Sequence, residues 1–145
     1  MNIPLIFAWV YAAMIATGFW ESHAEGKDSW DKGKLGWKIK WRGKVVGTEY
    51  HFWLFIVCYP LFITLPLVIA GFTWRLFGIL MSAYLSGLII EDIFWYISNP
   101  KFNLKEWGPK KVTWFKWFGI GKFKLPINYI VCLAFAVIFW ILFWA

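Results

Sequence analysis

Acidic side chains are scarce in this chain: only eight of its 145 residues are Asp or Glu, against 15 Lys and Arg. All charged residues together make up 16% of the sequence, whereas a soluble domain has about 25%. The apolar fraction is correspondingly high, at 61%. A core of this size cannot hide so much apolar surface from water. The composition therefore excludes an ordinary soluble domain and predicts a single membrane-embedded domain over residues 1–145.

Cysteine and histidine are also scarce, with two of each. Cys58 and Cys132 fall in different apolar stretches and do not have the spacing of a metal-binding motif. We therefore interpret them as small buried apolar residues. The two histidines form neither a His-x-x-x-His nor a His-Glu-x-x-His motif. Two are too few for a His-rich di-iron enzyme, and a bis-histidine haem is disfavoured because His23 lies outside any predicted span.

The chain contains several long apolar stretches. The hydrocarbon core of a bilayer is about 30 Å thick, so a spanning helix needs about 20 mostly apolar residues. Four stretches qualify, which predicts an all-α, four-helix membrane protein with spans at Pro4–Trp20, His51–Ala70, Leu76–Ile97 and Pro126–Trp144. No basic residue precedes the first stretch and no small-residue cleavage site follows it. We therefore expect it to remain as a span, not to be removed as a signal peptide.

Local signals mark the ends and a bend of these helices. Thr48 is a suitable N-cap for the second helix, and Asn99 before a proline is suited to closing the third. Pro60 and Pro66 lie inside the second helix and predict a kink. Such breaks are tolerated in membranes where neighbouring groups satisfy the freed carbonyl groups.

The basic residues predict the orientation. Seven lie in the loop 21–50, seven in the loop 98–125, and Arg75 lies in the short turn between the second and third spans. Because basic loops stay cytoplasmic, we expect a multi-pass protein of the cell membrane with both long loops inside and both termini outside. The net charge of +7 then reflects topology and contact with anionic headgroups of the lipid bilayer. Nucleic acid is not an expected partner.

One acidic residue lies well within a predicted span. Counting from Leu76, Glu91 sits roughly 22 Å into a core about 30 Å thick. An ionisable residue at such a depth is costly and by default indicates a functional site. Glu91 shares a helix stripe with small residues and should face the bundle, whereas Asp92 points about 100° away and should approach the headgroups.

The predicted topology brings other polar residues to the same inner level, where the first helix ends, the second begins and the third ends. This candidate site comprises Glu21, His23, Glu25, His51, Glu91, Asp92, Trp95 and Asn99. Carboxylates with an imidazole suit a divalent metal such as Zn, Mn or Fe, and Glu25, His51 and Glu91 are the candidate ligands. Three interpretations stay open: a metal or acid–base site, a polar site for a lipid headgroup or small cation, and a purely structural cluster.

The run EDIFWYISNPKFN resembles a family of small uncharacterised membrane proteins of archaea and bacteria. In that family a Glu-Asp pair, a Trp and an Asn-Pro close the third span. The stretches ESHAEGKDSW, TEYHFW and LPLVIAGF are similar too, so the resemblance covers most of the chain. It supports the fold and the candidate positions and implies no reaction. Many members carry a histidine in the Trp-rich second loop, where this chain has Phe115 or Lys116.

Three classes of function fit these observations. The first is a membrane-embedded enzyme or metal-binding protein that uses the inner polar cluster. The second is an accessory or assembly subunit whose aromatic and small-residue faces pack against a partner subunit. The third is a small transporter using the intramembrane Glu91, which would require a homo-oligomer because four short helices rarely enclose a pathway alone.

Overall fold

The computed structural model describes residues 1–26, 35–41, 43–120 and 123–143, with the backbone alone of Trp41 and Lys44. The prediction of a mainly helical chain is confirmed. In chain order the helices are α1 (Ile3–Glu25), α2 (Glu49–His51), a π-helix (Phe52–Cys58), α3 (Tyr59–Ala70), α4 (Trp74–Ser98), a 3-10 turn (Leu104–Glu106) and α5 (Ile127–Phe143). The elements α2, π-helix and α3 run on without a break, and we call them the second helical segment, Glu49–Ala70.

Three of these helical segments are long and apolar enough to cross a membrane: α1, the second helical segment and α4. Helix α5 is equally apolar but has 17 residues. The predicted end of the fourth span, Trp144, lies outside the described residues. Helix α1 continues past the predicted end at Trp20 to Glu25, because polar residues end an apolar run without ending the helical backbone.

Side-chain caps and a glycine set the helix ends. The prediction of Thr48 as an N-cap is confirmed, since its hydroxyl accepts a hydrogen bond from the His51 backbone N–H. Asn2 and Thr73 cap α1 and α4 in the same way. Helix α1 stops at Gly26, whose φ of 67° is a left-handed value that glycine adopts without steric cost.

Two antiparallel hairpins differ from the all-α expectation. The first joins β1 (Lys38–Trp41) to β2 (Lys44–Thr48), and the second joins β3 (Trp117–Ile120) to β4 (Phe123–Pro126). Each strand has four or five residues, too few to show a clear alternation of apolar and polar positions. Each hairpin leads directly into a helix, so it fixes the point where that helix begins.

Helix α4 is the centre of the bundle, packing against α1, α3 and α5. Gly18 of α1 lies so close to α4 that a Cβ there would sit 2.5 Å from the Glu91 carbonyl oxygen. A core of Val10, Met14, Ala83 and Tyr84 fills the middle of this contact. A second buried cluster, at the end of α4, is formed by Trp95, Tyr96 and Val112 with aromatic residues of the following loop. The close α1–α4 contact positions the acidic residues described next.

Candidate functional site

A cavity of about 420 Å³ lies where α1 ends, the second helical segment begins, α4 ends and α5 begins. Residues of all four helical segments line it, together with the first hairpin and the loop after α4. The lining residues with a charged side chain, a hydroxyl, an amide, an imidazole or an indole N–H are Glu21, Glu25, Trp37, Thr48, His51, Glu91, Asp92, Trp95, Tyr96, Trp114, Asn128 and Tyr129. The cavity therefore lies at the level where the topology predicts a polar site.

Helix α1 supplies two carboxylates on one face. Glu21 and Glu25 are four residues apart, so successive helical turns place them side by side. Glu21 is 3% exposed, and the Glu25 side chain is exposed to the same small extent. His23 lies on another face of the helix, where its Nδ1 atom lies 2.8 Å from the carbonyl oxygen of Phe19. His23 is exposed and does not line the cavity.

His51 connects the start of the second helical segment to α1. Its Nε2 atom lies 3.3 Å from Oε1 of Glu25. Its Nδ1 atom lies 2.6 Å from the Thr48 hydroxyl oxygen, and Thr48 is almost fully buried. When Thr48 accepts the Nδ1 proton, Nε2 carries the lone pair that a metal ion needs. A hydrogen bond that orients the ring in this way is typical of metal-binding histidines.

Glu21, Glu25 and His51 form a set with metal-ligand spacing. Each offers one ligand atom, and these atoms all lie within 4.8 Å of one another. Around a Zn ion, nitrogen and oxygen ligands lie about 2.0–2.2 Å from the metal, so they are separated from each other by about 3–4 Å. Small side-chain rotations would bring the three residues to that geometry.

Glu91 belongs to the same group through Glu21. It is 7% exposed on the face of α4 that meets α1, and its carboxyl group interacts with that of Glu21. The Tyr50 side chain interacts with Glu21 as well. Two ionised carboxylates this close in an apolar setting repel each other. The pair is stable only with a shared proton, a basic side chain or a bound cation.

Asp92 lies apart from this group, and its approach to the headgroups stays a prediction. Its carboxylate accepts a hydrogen bond from the Tyr129 hydroxyl of α5, and both residues line the cavity. The two neighbouring acids thus bind different helices: Glu91 contacts α1 and Asp92 contacts α5. Their separation around the helix axis is the one expected for adjacent helical residues.

Of the remaining predicted site residues, Trp95 lines the cavity and Asn99 does not. Trp95 is 3% exposed, and its indole N–H has no hydrogen-bond partner among the described residues. A buried indole N–H usually donates a hydrogen bond. The Trp95 N–H can therefore donate one to a molecule bound in the cavity. Asn99 has a structural role: its Nδ2 atom donates to the Gly26 carbonyl at 2.7 Å, which ties the end of α4 to the end of α1.

Three residues of the site were missed at the level of sequence. Thr48 was recognised as a cap but not as the partner of His51, although its position three residues before His51 places both on one helix face. Tyr50 and Tyr129 lie near the predicted starts of their helices and therefore at the same end of the bundle as Glu91. The sequence indicates this position, but it does not indicate their orientation toward Glu21 and Asp92.

No protein family, curated protein or solved structure matches the chain. The resemblance to small archaeal and bacterial membrane proteins stays a prediction. Phe115, where that resemblance implies a histidine, lines the cavity beside Tyr129, with ring centroids 5.9 Å apart.

Proposed function

We propose that this protein is a four-span integral membrane protein that binds a divalent metal ion between Glu21, Glu25 and His51. The observation that carries the proposal is the convergence of three ligand atoms from two helical segments, with Thr48 orienting the histidine. Glu91 is not one of these three ligands, but it interacts with Glu21 and lies beside the proposed metal site. The nitrogen and oxygen donors suit Zn, Mn or Fe better than they suit metals that prefer sulfur ligands.

The proposal that the chain spans a membrane rests on the length and the apolar composition of its helices. Helices α1 and α4 and the second helical segment meet the requirement for a span, and α5, at 17 residues, spans at the lower limit of about 17 residues. The two basic loops then lie in the cytoplasm, and the cavity lies at the inner leaflet.

Cysteine labelling tests this topology. In a chain whose native Cys58 and Cys132 are replaced by alanine, single cysteines at Lys40 and Lys110 should react with a membrane-impermeant maleimide only after the cells are opened. A cysteine at Arg75, in the opposite turn, is the matched control and should react in intact cells. Reaction of Lys40→Cys or Lys110→Cys from outside would contradict the orientation.

Metal analysis tests the site. Protein purified in mild detergent and dialysed against Zn²⁺ or Mn²⁺ should retain about one ion per chain. His51→Gln and Glu21→Gln should each weaken binding by at least about tenfold, because each removes a direct ligand. Affinity should rise with pH, since the ligands must lose protons before they bind a metal.

His23→Gln and Glu106→Gln are the matched controls, because His23 is exposed and Glu106 pairs with Lys111 at the surface. Both should bind the metal as the unchanged protein does. Thermal unfolding of every variant in the same detergent shows whether weaker metal binding results from loss of a ligand or from loss of folding. An unchanged protein that retains no metal, or a His51→Gln variant that binds equally well, would refute the site and favour a structural role for the cluster.

A further inference from the structure

The residues that line the cavity change from polar to apolar along the helix axes. On α4, Leu88 and Ile89 lie about one helical turn deeper in the predicted span than Asp92, at about 1.5 Å per residue. On the second helical segment, Phe55 and Ile56 lie about one turn deeper than His51. All six residues line the same cavity. The space therefore runs from a polar end at the carboxylates and the imidazole to an apolar end within the bundle.

The apolar end reaches the outer surface of the helices. Phe52 and Ile56 line the cavity and are also exposed, Ile56 to 63%. They are four residues apart and so lie on one face of the second helical segment. In a membrane this face meets the acyl chains, which places the opening of the cavity toward lipid. A molecule that dissolves in the bilayer can enter from there without crossing water.

The volume of the cavity, its hydrogen-bond donor and its charged groups indicate which class of ligand it can bind. A volume of about 420 Å³ is within the range of roughly 300–1,000 Å³ that is typical of small-molecule sites. The Trp95 N–H offers a hydrogen bond to an oxygen atom near the polar end. Four carboxyl groups, those of Glu21, Glu25, Glu91 and Asp92, are among the described lining residues, so a headgroup that carries a further negative charge meets like charges there. A neutral oxygen headgroup fits these conditions best.

We infer that the cavity binds an uncharged, lipid-soluble alcohol or carbonyl compound, with its oxygen at the metal and its hydrocarbon body between Phe55, Leu88 and Ile89. This inference rests on the proposed metal site and names the class of ligand for it. Glu21, Glu25 and His51 would hold the metal, and a site with three protein ligands would leave a coordination position for the headgroup oxygen. Trp95 donates to the same oxygen.

Photolabelling tests the inference. The probe is hexadecanol carrying a diazirine in its chain, added to metal-loaded protein in nanodiscs, with labelled peptides identified by mass spectrometry. Labels are expected on the Phe52–Ile56 and Leu88–Asp92 peptides, and unlabelled hexadecanol should compete. Removal of the metal with EDTA should lower this labelling at least about fivefold. The matching diazirine fatty acid should label the same peptides several-fold less.

Two variants locate the binding. Ile89→Trp fills the apolar end and should abolish the competed labelling while metal content, measured on the same samples, stays unchanged. Ile69→Trp is the matched control, since Ile69 is exposed on α3 and does not line the cavity. If Ile89→Trp loses its metal, Ile56→Trp at the exposed opening takes its place.

The possible outcomes separate the two proposals. Metal-loaded protein that is not labelled in the cavity, or labelling that EDTA leaves unchanged, overturns the ligand inference and leaves the metal site standing. Protein that retains no metal overturns the proposed function, and the ligand inference falls with it.

Discussion

Helix α4 and the second helical segment are both strongly apolar, yet the rest of the protein buries their side chains to very different extents. In the most apolar window of α4, 44% of the residues are buried by the rest of the protein; in the second helical segment the figure is 6%. Leu67 is the one buried residue of α3, while Leu61, Phe62, Leu65, Val68 and Ile69 are exposed. The bundle therefore buries α4 and leaves much of the second segment exposed.

The two regions also differ in what holds them in place. The backbones of α1 and α4 approach closely at Gly18, and the Met14 side chain packs onto Gly87. The second segment packs on this core through Tyr59 and Ile63 and makes polar contacts, such as the hydrogen bond from the Tyr84 hydroxyl to the Phe55 carbonyl. In the π-helix that carbonyl would receive the N–H of residue 60, but Pro60 has none. Tyr84 supplies the missing donor, as expected where a proline interrupts a spanning helix.

The largest effect should come from Gly18→Ala. The new methyl group would lie 2.5 Å from the Glu91 carbonyl oxygen and 3.0 Å from the Trp95 nitrogen, both backbone atoms that cannot move without shifting α4. We expect the free energy of unfolding in detergent to fall by about 1–3 kcal/mol and metal affinity to fall with it, because Glu21 and Glu91 would be pushed apart. Denaturant unfolding and metal titration measure the two.

Gly87→Ala is the matched control. A Cβ at Gly87 meets the Met14 Cγ atom at 2.9 Å, and that flexible side chain can move aside. Equal loss of stability in the two variants would show that the α1–α4 contact is not as tightly constrained as the backbone approach at Gly18 indicates.

An intermediate effect should come from Tyr84→Phe, which removes the hydroxyl that bridges the two regions. Leaving the Phe55 carbonyl without a donor should lower the free energy of unfolding by about 1–2 kcal/mol. Hydrogen–deuterium exchange should rise in the π-helix Phe52–Cys58 and stay unchanged in α1. A uniform rise along the chain would contradict a local role for this hydrogen bond.

The smallest effect should come from Phe62→Ala. Phe62 is 72% exposed, so its truncation leaves no cavity in the protein, and a change within about 0.5 kcal/mol is expected for such a site. Val10→Ala, in the α1–α4 core, is the matched comparison and should cost more. A large loss for Phe62→Ala would show that this face packs against a partner subunit or a second copy instead of lipid.

Much of the architecture could be predicted from the sequence. Apolar length located the helices that can span a membrane, and Thr48 was recognised as the residue that starts the second one. The end of α1 was placed too early because Glu21 and Glu25 are polar, although the helix continues through them. The hairpins were not predicted because their strands are too short for a periodic pattern, and pairing between strands depends on residues distant in sequence.

The sequence by itself determined which long segments are helical, where Glu91 lies along its helix, and that one end of the bundle is polar. These properties depend on local composition and on the fixed rise of a helix. Only the tertiary structure decided which polar residues meet. His51 reaches Glu25 while His23 is exposed, and Asp92 binds Tyr129 while its neighbour Glu91 interacts with Glu21. The small-residue stripe of α4 indicated that Glu91 faces the bundle. The partners that each side chain meets depend on how the other helices are rotated about their axes, and packing contacts between helices, such as Gly18 against α4, set that rotation.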